Sequence, residues 1–262
     1  MHPMLTIATR AAIKAGDHIL KKADQLEDIV VTKKGKNDYV TDVDLQSEKE
    51  IFYHLKKAYP DHAFLSEESG LSGDEESDYL WVIDPLDGTN NFIHGLPHYC
   101  ISIALQIRGK VELGVIYNPN LNQLFTASRG DGAQLNGKRI RISDKKTLSG
   151  CLFSASFGCD TNTFKPSYLD ALSNLKKEIS GLRYSGSLAL DLAYVASGFY
   201  DATWATSSKP WDIAAASIII KEAGGLVSEI NGGLKPLDSG KIIAGNPKLV
   251  SKLTQIFAPH LI

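Results

Sequence analysis

The chain has 262 residues, of which 43% are hydrophobic and 22% charged, which is the composition of an ordinary soluble globular protein. This length suits one large domain or two closely packed halves. The formal net charge of −2 at pH 7 predicts no direct nucleic-acid footprint and no attraction to an anionic membrane.

Location is predicted from the cysteines and from the apolar runs. The three cysteines are odd in number and form no C-x-x-C motif, so Cys100, Cys151 and Cys159 are predicted to be reduced thiols. The N-terminus shows no signal-peptide pattern, and no apolar run approaches the roughly 18 residues needed to cross a bilayer. We therefore predict a cytoplasmic protein with no membrane partner.

Two helices are predicted near the N-terminus. Apolar residues recur at helical spacing over residues 3–26, and a second helix is predicted from about Asp44 to Tyr59, where Pro60 ends it. Residues 37–41 between them are predicted to be a loop or a short extended segment. The densest basic cluster, which contains Lys33, Lys34 and Lys36, is typical of a solvated loop.

The middle of the chain predicts an antiparallel sheet. Its turn signals are Arg108-Gly109-Lys110, Asn118-Pro119-Asn120 and Asn136-Gly137. The predicted strands are Tyr79 to Ile83, Cys100 to Ile107, Val111 to Tyr117 and Gln123 to Ala127.

Strands and helices alternate from about residue 150, which predicts a layered α/β half. The predicted strands are 152–154, 182–184, near Ala202, 226–230 and 242–244. The predicted helices follow Pro166, run from about 187 to 197, run from about Trp211 to Gly224-Gly225, and follow Pro247. We predict two halves, 1–147 and 148–262, that share one site, with most metal ligands in the first.

The segment Trp81-Val82-Ile83-Asp84-Pro85-Leu86-Asp87-Gly88-Thr89-Asn90 carries the strongest chemical signal. Pro85 lacks an amide hydrogen, so the strand is predicted to end there and to aim Asp84 and Asp87 at a common point. Two close carboxylates repel one another, and residues 58–107 contain nine acids but no Lys or Arg. A hard cation such as Mg²⁺ resolves the repulsion, whereas an Asx-type turn is the plain structural alternative.

The residues after Asp87 suit a phosphate. Gly88 has no side chain to block a ligand, and Thr89 is predicted to open a short helix whose free amides favour a phosphate. Further acids available to the site are Glu67, Glu68, Asp44 and Asp212.

Other phosphatase and nucleotide chemistries are poorly supported. No Cys is followed six residues later by Arg, and there is no G-x-S-x-G or G-x-x-x-x-G-K-[ST] motif. Asp42-Val43-Asp44 is similar to the D-x-D of haloacid-dehalogenase-type phosphatases. However, Gln46 stands where that motif has Thr or Val.

Three segments together resemble the inositol monophosphatase family of magnesium-dependent, lithium-sensitive phosphatases. They are Ser66-Glu67-Glu68-Ser69, Trp81 to Phe92, and Trp211-Asp212-Ile213-Ala214-Ala215 followed by Glu222-Ala223-Gly224-Gly225. The tract Gly186 to Gly198 is most similar to the bacterial branch, in which one homologue also serves in ribosomal-RNA transcription antitermination. The resemblance implies a mixed α+β (α/β) fold, a five-layered αβαβα sandwich, and a homodimer.

The resemblance also implies two to three Mg²⁺ ions. Glu67, Asp84 and the Leu86 carbonyl would hold the first ion, and Asp84, Asp87 and Asp212 the second. A third, weaker ion would lie near Glu67.

The remaining roles implied by the resemblance are catalytic and substrate-binding. Asp44 and Thr89, with Glu67, would activate the attacking water, and either Lys33 or Lys34 would match a family lysine. The residues implied to bind phosphate or substrate are Gly88, Thr89, Gly186 and Ser187.

One position departs from the family pattern. Inositol-specific members carry a sugar-binding glutamate seven residues before the Trp-Asp aspartate, and Ala205 stands there in this chain. We therefore predict a Mg²⁺-dependent phosphomonoesterase acting by in-line attack of a metal-activated water on a small sugar or polyol phosphate, with myo-inositol 1-phosphate as the default substrate. The alternatives are fructose 1,6-bisphosphate, adenosine 3′,5′-bisphosphate, NADP or histidinol phosphate, or a binding role in a transcription complex.

Overall fold

The order of elements follows the predicted change from helices to hairpins to alternating α/β structure. The computed structural model describes residues 2–35, 38–157 and 165–261, so Cys159 lies outside the described residues. Its helices are α1 Pro3–Ala23, α2 Asp42–Ala58, α3 Thr89–Ile93, α4 Ser167–Glu178, α5 Leu188–Ala196, α6 Pro210–Glu222, α7 Pro236–Ser239 and α8 Pro247–Phe257.

The strands form a hairpin and two larger sheets. The hairpin is β1 Val31–Gly35 with β2 Asp38–Thr41. The first large sheet contains β3 Ala63–Ser66, β4 Gly70–Ser72, β5 Tyr79–Asp87, β6 Cys100–Ile107, β7 Lys110–Asn118, β8 Gln123–Ser128, β9 Gly132–Leu135 and β10 Lys138–Arg139. The second contains β11 Leu152–Ser156, β12 Gly181–Arg183, β13 Ala202–Ala205, β14 Leu226–Glu229 and β15 Ile242–Gly245.

The first large sheet has the strand order β10-β9-β8-β7-β6-β5-β3-β4. Two of its tight turns are the predicted ones, with φ of 51° and 72° at Arg108 and Gly109, and 49° and 75° at Asn136 and Gly137. Positive φ at both central residues is the type I′ geometry that matches strand twist. The β3–β5 pair is parallel, which carries two neighbouring strands to the same edge of the sheet.

Helices α1 and α2 cover one face of this sheet. The buried face of α1 carries the small residues Ala8, Ala11, Ala12 and Ala15, which lets the helix lie close to the strands. Together with Trp81 and other large residues of β5 to β7, they form one apolar core.

The second sheet has the order β12-β11-β13-β15-β14, with β11 parallel to both neighbours and β15 antiparallel to both of its own. Helices α5 and α6 lie between the two large sheets, and their core contains residues from both. Helices α4 and α8 cover the far side. The five layers αβαβα are confirmed, while the predicted boundary at residue 147 stays a prediction.

Helix α6 lies unusually close to the first sheet at Gly114 in β7. A Cβ at this position would lie 2.4 Å from the Ala215 carbonyl oxygen and 2.8 Å from an Ile218 methyl carbon, so only glycine fits without movement. The start of α6 is also fixed to β6, because the Ser102 hydroxyl donates to the Trp211 carbonyl at 3.0 Å.

Some predictions needed correction. Strand β5 does not end at Pro85 but continues to Asp87, and the missing amide instead produces a register shift between Asp84 and Asp87. Helix α2 begins at Asp42, two residues earlier than predicted. Strands β3 and β4 were not predicted. Within the described residues, no helix combines the length and apolarity needed to span a bilayer.

Candidate metal centre and catalytic site

The irregular end of β5 presents the two acids of the central motif. Asp84 still pairs with Ser102 of β6, after which the register shifts. The Leu86 amide donates to Asp84 Oδ1 at 3.0 Å, which is the hydrogen bond of the Asx-type turn that the sequence analysis gave as the alternative to a metal site. The Ser47 hydroxyl of α2 donates to the Pro85 carbonyl at 2.7 Å and holds the irregular segment from behind. The turn and a metal site are therefore compatible.

Glu67 reaches the same edge through the parallel β3–β5 pair. Ser66 pairs with Ile83, and the next amide, that of Glu67, donates to the Ile83 carbonyl at 3.2 Å. Glu67 thus lies beside Asp84 because neighbouring parallel strands end at the same place. This pairing could not be read from sequence spacing alone.

The second half of the chain supplies Asp212 from the first turn of α6. Its Oδ2 accepts a hydrogen bond from the Lys209 amide at 2.8 Å, as in a capping box. The contact between Ser102 and Trp211 then brings the start of α6 against the strand that pairs with Asp84. Ser102 therefore connects strand β5, which carries Asp84, with helix α6, which carries Asp212. The sequence analysis did not predict this role.

One carboxylate oxygen from each of Asp84, Asp87 and Asp212 lies within 4.8 Å of the other two. Burial raises the pKa of Asp84 well above its usual range, and the charges of Glu67, Asp87 and Asp212 raise it further. Burial and the charge of Asp87 do the same to the pKa of Asp212. Clustered carboxylate oxygens are the donor set that Mg²⁺ prefers, so these residues fit that ion.

Asp87 is oriented by the start of α5. Its Oδ2 accepts hydrogen bonds from the Ser187 hydroxyl at 2.6 Å and from the Ala189 amide at 2.8 Å. Both bonds fall on Oδ2, so neither of them uses the other carboxylate oxygen. Burial nevertheless raises the pKa of Asp87 to about 6.

Asp44 and Thr89 form a connected pair at the edge of the cluster. Thr89 Oγ1 lies 2.7 Å from Asp44 Oδ1 and 3.0 Å from the Leu86 carbonyl oxygen. The Thr41 amide donates to the other oxygen of Asp44 at 2.8 Å, which fixes the carboxylate at the start of α2. Burial raises the pKa of Asp44, and the hydrogen bonds from Thr41 and Thr89 oppose that rise.

Asp44 is connected through Thr89 to a cleft of about 210 Å³, here called the inner cleft. It is lined by Tyr39, Glu67, Asp84, Leu86, Asp87, Gly88, Thr89, Asn90, Gly186 and Asp212. Gly88 has φ 99°, and a Cβ there would lie 3.1 Å from the His98 carbonyl oxygen. The positive φ and the crowding at the Cβ position therefore make glycine the residue type that this turn requires.

A second cleft of about 400 Å³, here called the outer cleft, adjoins the inner one and shares Asp87, Asn90, Gly186 and Asp212 with it. The remaining residues that line it are Asn91, Leu96, Ser156, Tyr184, Ser185, Leu188 and Ser207. Ala205 is not among the described residues that line either cleft, because its side chain is fully buried in β13.

Asn91 joins the two parts of the chain at this point, and sequence reasoning gave it no role. Its side-chain amide donates to the His98 carbonyl at 2.7 Å and to the Ser185 carbonyl at 2.8 Å. It therefore holds the segment before Ser187 against the motif that contains Gly88.

Lys34 corrects the prediction of a solvated basic loop. Its ammonium group lies 3.2 Å from Glu67 Oε1 and 2.7 Å from Glu68 Oε1, so Lys34 rather than Lys33 approaches the site. Burial raises the pKa of Glu68 to about 7, and Lys34 opposes that rise. Lys34 lies outside residues 58–107, which contain no Lys or Arg, and it offsets the charge of Glu67 and Glu68 rather than that of the three clustered aspartates.

The rival D-x-D reading does not match the geometry. Asp42 Oδ1 accepts a hydrogen bond from the Val30 amide at 3.0 Å, and Asp42 lines a separate cleft with His18 and Lys49, whereas Asp44 bonds Thr89. The two aspartates of the motif therefore do not act on one point.

Comparison with known proteins agrees with the architecture. The model of the inositol monophosphatase family matches residues 1–260. Nus factor SuhB of Pasteurella multocida is 44% identical over 261 residues, covering 100% of this chain and 98% of that protein. The crystal structure of extragenic suppressor protein suhB from Bartonella henselae has a TM-score of 0.93 and 40% identity, covering 97% of this chain and 98% of that one.

A solved IMPase/NADP phosphatase complexed with Mg²⁺ and phosphate has a TM-score of 0.82 and 26% identity, covering 94% of each chain. The layered fold and the acidic cleft are those of a metal-binding phosphatase. The chain belongs to the inositol monophosphatase family.

Proposed function

We propose that this protein is a Mg²⁺-dependent phosphomonoesterase that hydrolyses a small sugar or polyol phosphate, with myo-inositol 1-phosphate as the reference substrate. The observation that carries the proposal is the group of three aspartates whose carboxylate oxygens lie within 4.8 Å of one another beside a glycine turn. Glu67, the Leu86 carbonyl and these aspartates would hold two to three Mg²⁺ ions. When bound, Mg²⁺ would neutralise phosphoryl charge and lower the pKa of a nearby water.

The chain's own groups supply the path for a proton. Thr89 Oγ1 donates its hydrogen to Asp44 Oδ1, so its lone pairs are free to accept a hydrogen bond from a water in the inner cleft. A proton released to Thr89 Oγ1 can pass to Asp44, whose burial-raised pKa makes it a better acceptor near neutral pH. Glu67 lies on the same edge and would assist.

Phosphate would be received at the turn that begins α3. Gly88 and Thr89 both line the inner cleft, where their backbone amides would donate to the phosphate. Gly186 lines the facing wall, and Ser187 orients Asp87. That Gly88, Thr89 and Gly186 line the inner cleft supports the substrate-binding roles that the family resemblance implies for them, whereas Ser187 is buried and bonds Asp87 instead.

The test is phosphate release from myo-inositol 1-phosphate with Mg²⁺, with EDTA, and with added Li⁺. We expect release in Mg²⁺, none in EDTA, and inhibition by Li⁺. Light scattering after size exclusion checks the proposed homodimer. Equal release in Mg²⁺ and in EDTA would contradict the proposal.

A second candidate is a binding role in a transcription complex, and it rests on the relative named Nus factor SuhB. The net charge of −2 gives no direct nucleic-acid footprint, so such a role would use a protein partner. A pull-down of RNA polymerase elongation factors, repeated with Asp84→Asn, separates the two roles. Capture that survives loss of phosphatase activity supports binding, and no capture by either form rejects it.

A further inference from the structure

Helix α5 contains a buried acid, Asp191, that the proposed mechanism does not use. Its side chain is 1% exposed, and every other buried residue of this helix is apolar. An acid in the first turn of a helix is favoured by the helix dipole, but that role does not require burial. A buried carboxylate costs free energy unless its charge is offset, so the position of Asp191 needs a further reason.

The only ion-pair partner that the described residues offer Asp191 is His98. His98 Nε2 lies 3.7 Å from Asp191 Oδ1, which is longer than a hydrogen bond. Both atoms are buried, and neither has a hydrogen-bond partner in the described part of the chain. The charge of Asp191 is therefore weakly offset, and in a poorly hydrated interior it acts strongly on its surroundings.

Asp191 lies directly behind the residue that orients Asp87. The Asp191 amide donates to the Ser187 carbonyl at 3.1 Å, so these two residues are one helical turn apart and lie on the same face of α5. The Ser187 hydroxyl in turn donates to Asp87 Oδ2 at 2.6 Å. One residue, Ser187, thus connects Asp191 with a proposed ligand of Mg²⁺.

The charge of Asp191 affects groups on both sides of α5. Burial raises the pKa of Tyr200 to about 12, and the charge of Asp191 adds to that rise. Burial also raises the pKa of Asp87, and the charges of Glu67 and Asp191 add to it. A negative potential that disfavours an anion at Asp87 attracts a cation to the same place.

We propose that Asp191 is a positioning residue that strengthens cation binding at the three clustered aspartates through its charge, without being a ligand. The proposal stands on its burial, on its weakly offset charge and on its connection to Asp87 through Ser187. It rests on the proposed Mg²⁺ site, and it assigns part of the cation affinity to an acid outside the set of ligands.

The first test is isothermal titration of Mg²⁺ into metal-free protein, which measures affinity without turnover. Asp191→Asn keeps the size of the side chain and removes its charge. It should weaken binding about 4- to 16-fold, the Coulomb effect of a unit charge about 10 Å from a divalent ion at effective dielectric constants of about 80 to 40. Asp191→Ser removes the charge with a smaller side chain and should give the same loss. A loss of less than about 4-fold in either variant would overturn the proposal.

Asp201→Asn is the control for this titration. Asp201 is also buried, but it bonds Lys145 and the Leu152 amide. Its replacement should leave the affinity for Mg²⁺ unchanged. An equal loss in Asp201→Asn and Asp191→Asn would show a general effect of buried acids and would also overturn the proposal.

The second test separates charge from shape by comparing two ions of similar size, Ca²⁺ and Tb³⁺. A Coulomb effect scales with the charge of the ion, whereas a distorted site affects ions of one size alike. Asp191→Asn should therefore weaken Tb³⁺ binding about 8- to 64-fold where Ca²⁺ binding weakens about 4- to 16-fold. Equal losses for the two ions would contradict a role through charge.

His98→Gln is the matched variant at the same contact. The His98 carbonyl accepts a hydrogen bond from Asn91, and a Cβ on Gly88 would lie 3.1 Å from it, so packing between Asp191 and His98 is an alternative route to the site. His98→Gln removes the imidazole but keeps the carboxylate, so the affinity for Mg²⁺ should stay at or above that of the parent protein. A loss as large as in Asp191→Asn would assign the effect to packing and overturn the proposal.

Failure of the proposed function gives a different result. If the parent protein binds none of Mg²⁺, Ca²⁺ and Tb³⁺, the proposed metal site is rejected, and the inference with it. If the parent protein binds these ions and Asp191→Asn binds them equally well, the inference alone is rejected.

Discussion

Replacing Asp84 by Asn should have opposite effects on stability in the absence and the presence of Mg²⁺. Asp84 is 1% exposed and is the acid whose pKa is raised by three neighbouring carboxylates. Two unit charges 4.8 Å apart repel by about 3 kcal/mol at an effective dielectric constant of 20. The amide of Asn removes this charge and keeps an oxygen that can accept the hydrogen bond of the Leu86 amide.

At pH 8 without metal, the variant should therefore be more stable than the parent protein by up to about 3 kcal/mol. A difference of 1 kcal/mol moves the melting temperature by roughly 2–4 °C for a chain of this size. With Mg²⁺ at 100 times its Kd, the parent protein should gain about 2.7 kcal/mol and the variant much less. Scanning calorimetry with EDTA and with Mg²⁺ measures both differences.

Asp201→Asn is the matched control, because Asp201 is also buried but bonds Lys145 and the Leu152 amide, and its charge is not among those that raise the pKa of the three clustered aspartates. It should leave the Mg²⁺-induced rise in melting temperature unchanged. The reasoning is refuted if Mg²⁺ stabilises Asp84→Asn as much as the parent protein, or if the variant keeps full phosphatase activity.

Three further predictions follow from the same contacts. Burial raises the pKa of Asp87 to about 6, so the metal-free folded chain holds a proton that the unfolded chain releases from about pH 4. The stability of the metal-free protein should therefore fall as the pH rises from 4 to 6. Calorimetry in EDTA at pH 4.5, 5.5 and 6.5 measures this change, and a rise in stability over that range would contradict the prediction. Thr89→Ala removes the hydroxyl bonded to Asp44 and should lower kcat about 10²- to 10⁴-fold without changing the Mg²⁺-induced melting shift, whereas Thr89→Ser should retain activity. Gly88→Ala should destabilise by about 1–3 kcal/mol in urea titrations, and by more than Gly109→Ala, where φ is also positive but a Cβ meets open space.

The fold was largely accessible from the sequence because its signals are local. Turn pairs such as Arg108-Gly109 and Asn136-Gly137 set hairpins whose geometry depends on two residues, and the structure confirms them. Pro85 was interpreted correctly as a break in hydrogen bonding, but the strand continued because Asp87 pairs again with Cys100 after the shift. Whether a break ends a strand depends on the neighbouring strand, which the local sequence does not contain.

The site was accessible only in part for the same reason. Asp84 and Asp87 share one turn, so their proximity follows from three residues of spacing. Lys34 meets Glu67 through the β1–β2 hairpin, 33 residues away along the chain, and its role came from tertiary packing. Ser102 belongs to no recognisable motif. Its role depends on the strand register that pairs it with Asp84 and on its hydrogen bond to Trp211 of α6.

Gly114 lies outside the site but sets the distance between helix α6 and the first sheet. Helix α6 rests on β7 at this residue, and the same helix carries Asp212 one turn earlier. An alanine here would be about 1 Å too close to the Ala215 carbonyl and would lift the helix from the sheet. Mg²⁺ and Ca²⁺ differ by only about 0.2–0.6 Å in their distances to oxygen ligands. A displacement of Asp212 by a similar distance would be large enough to change which of these two ions the proposed site fits, although no ligand had been replaced.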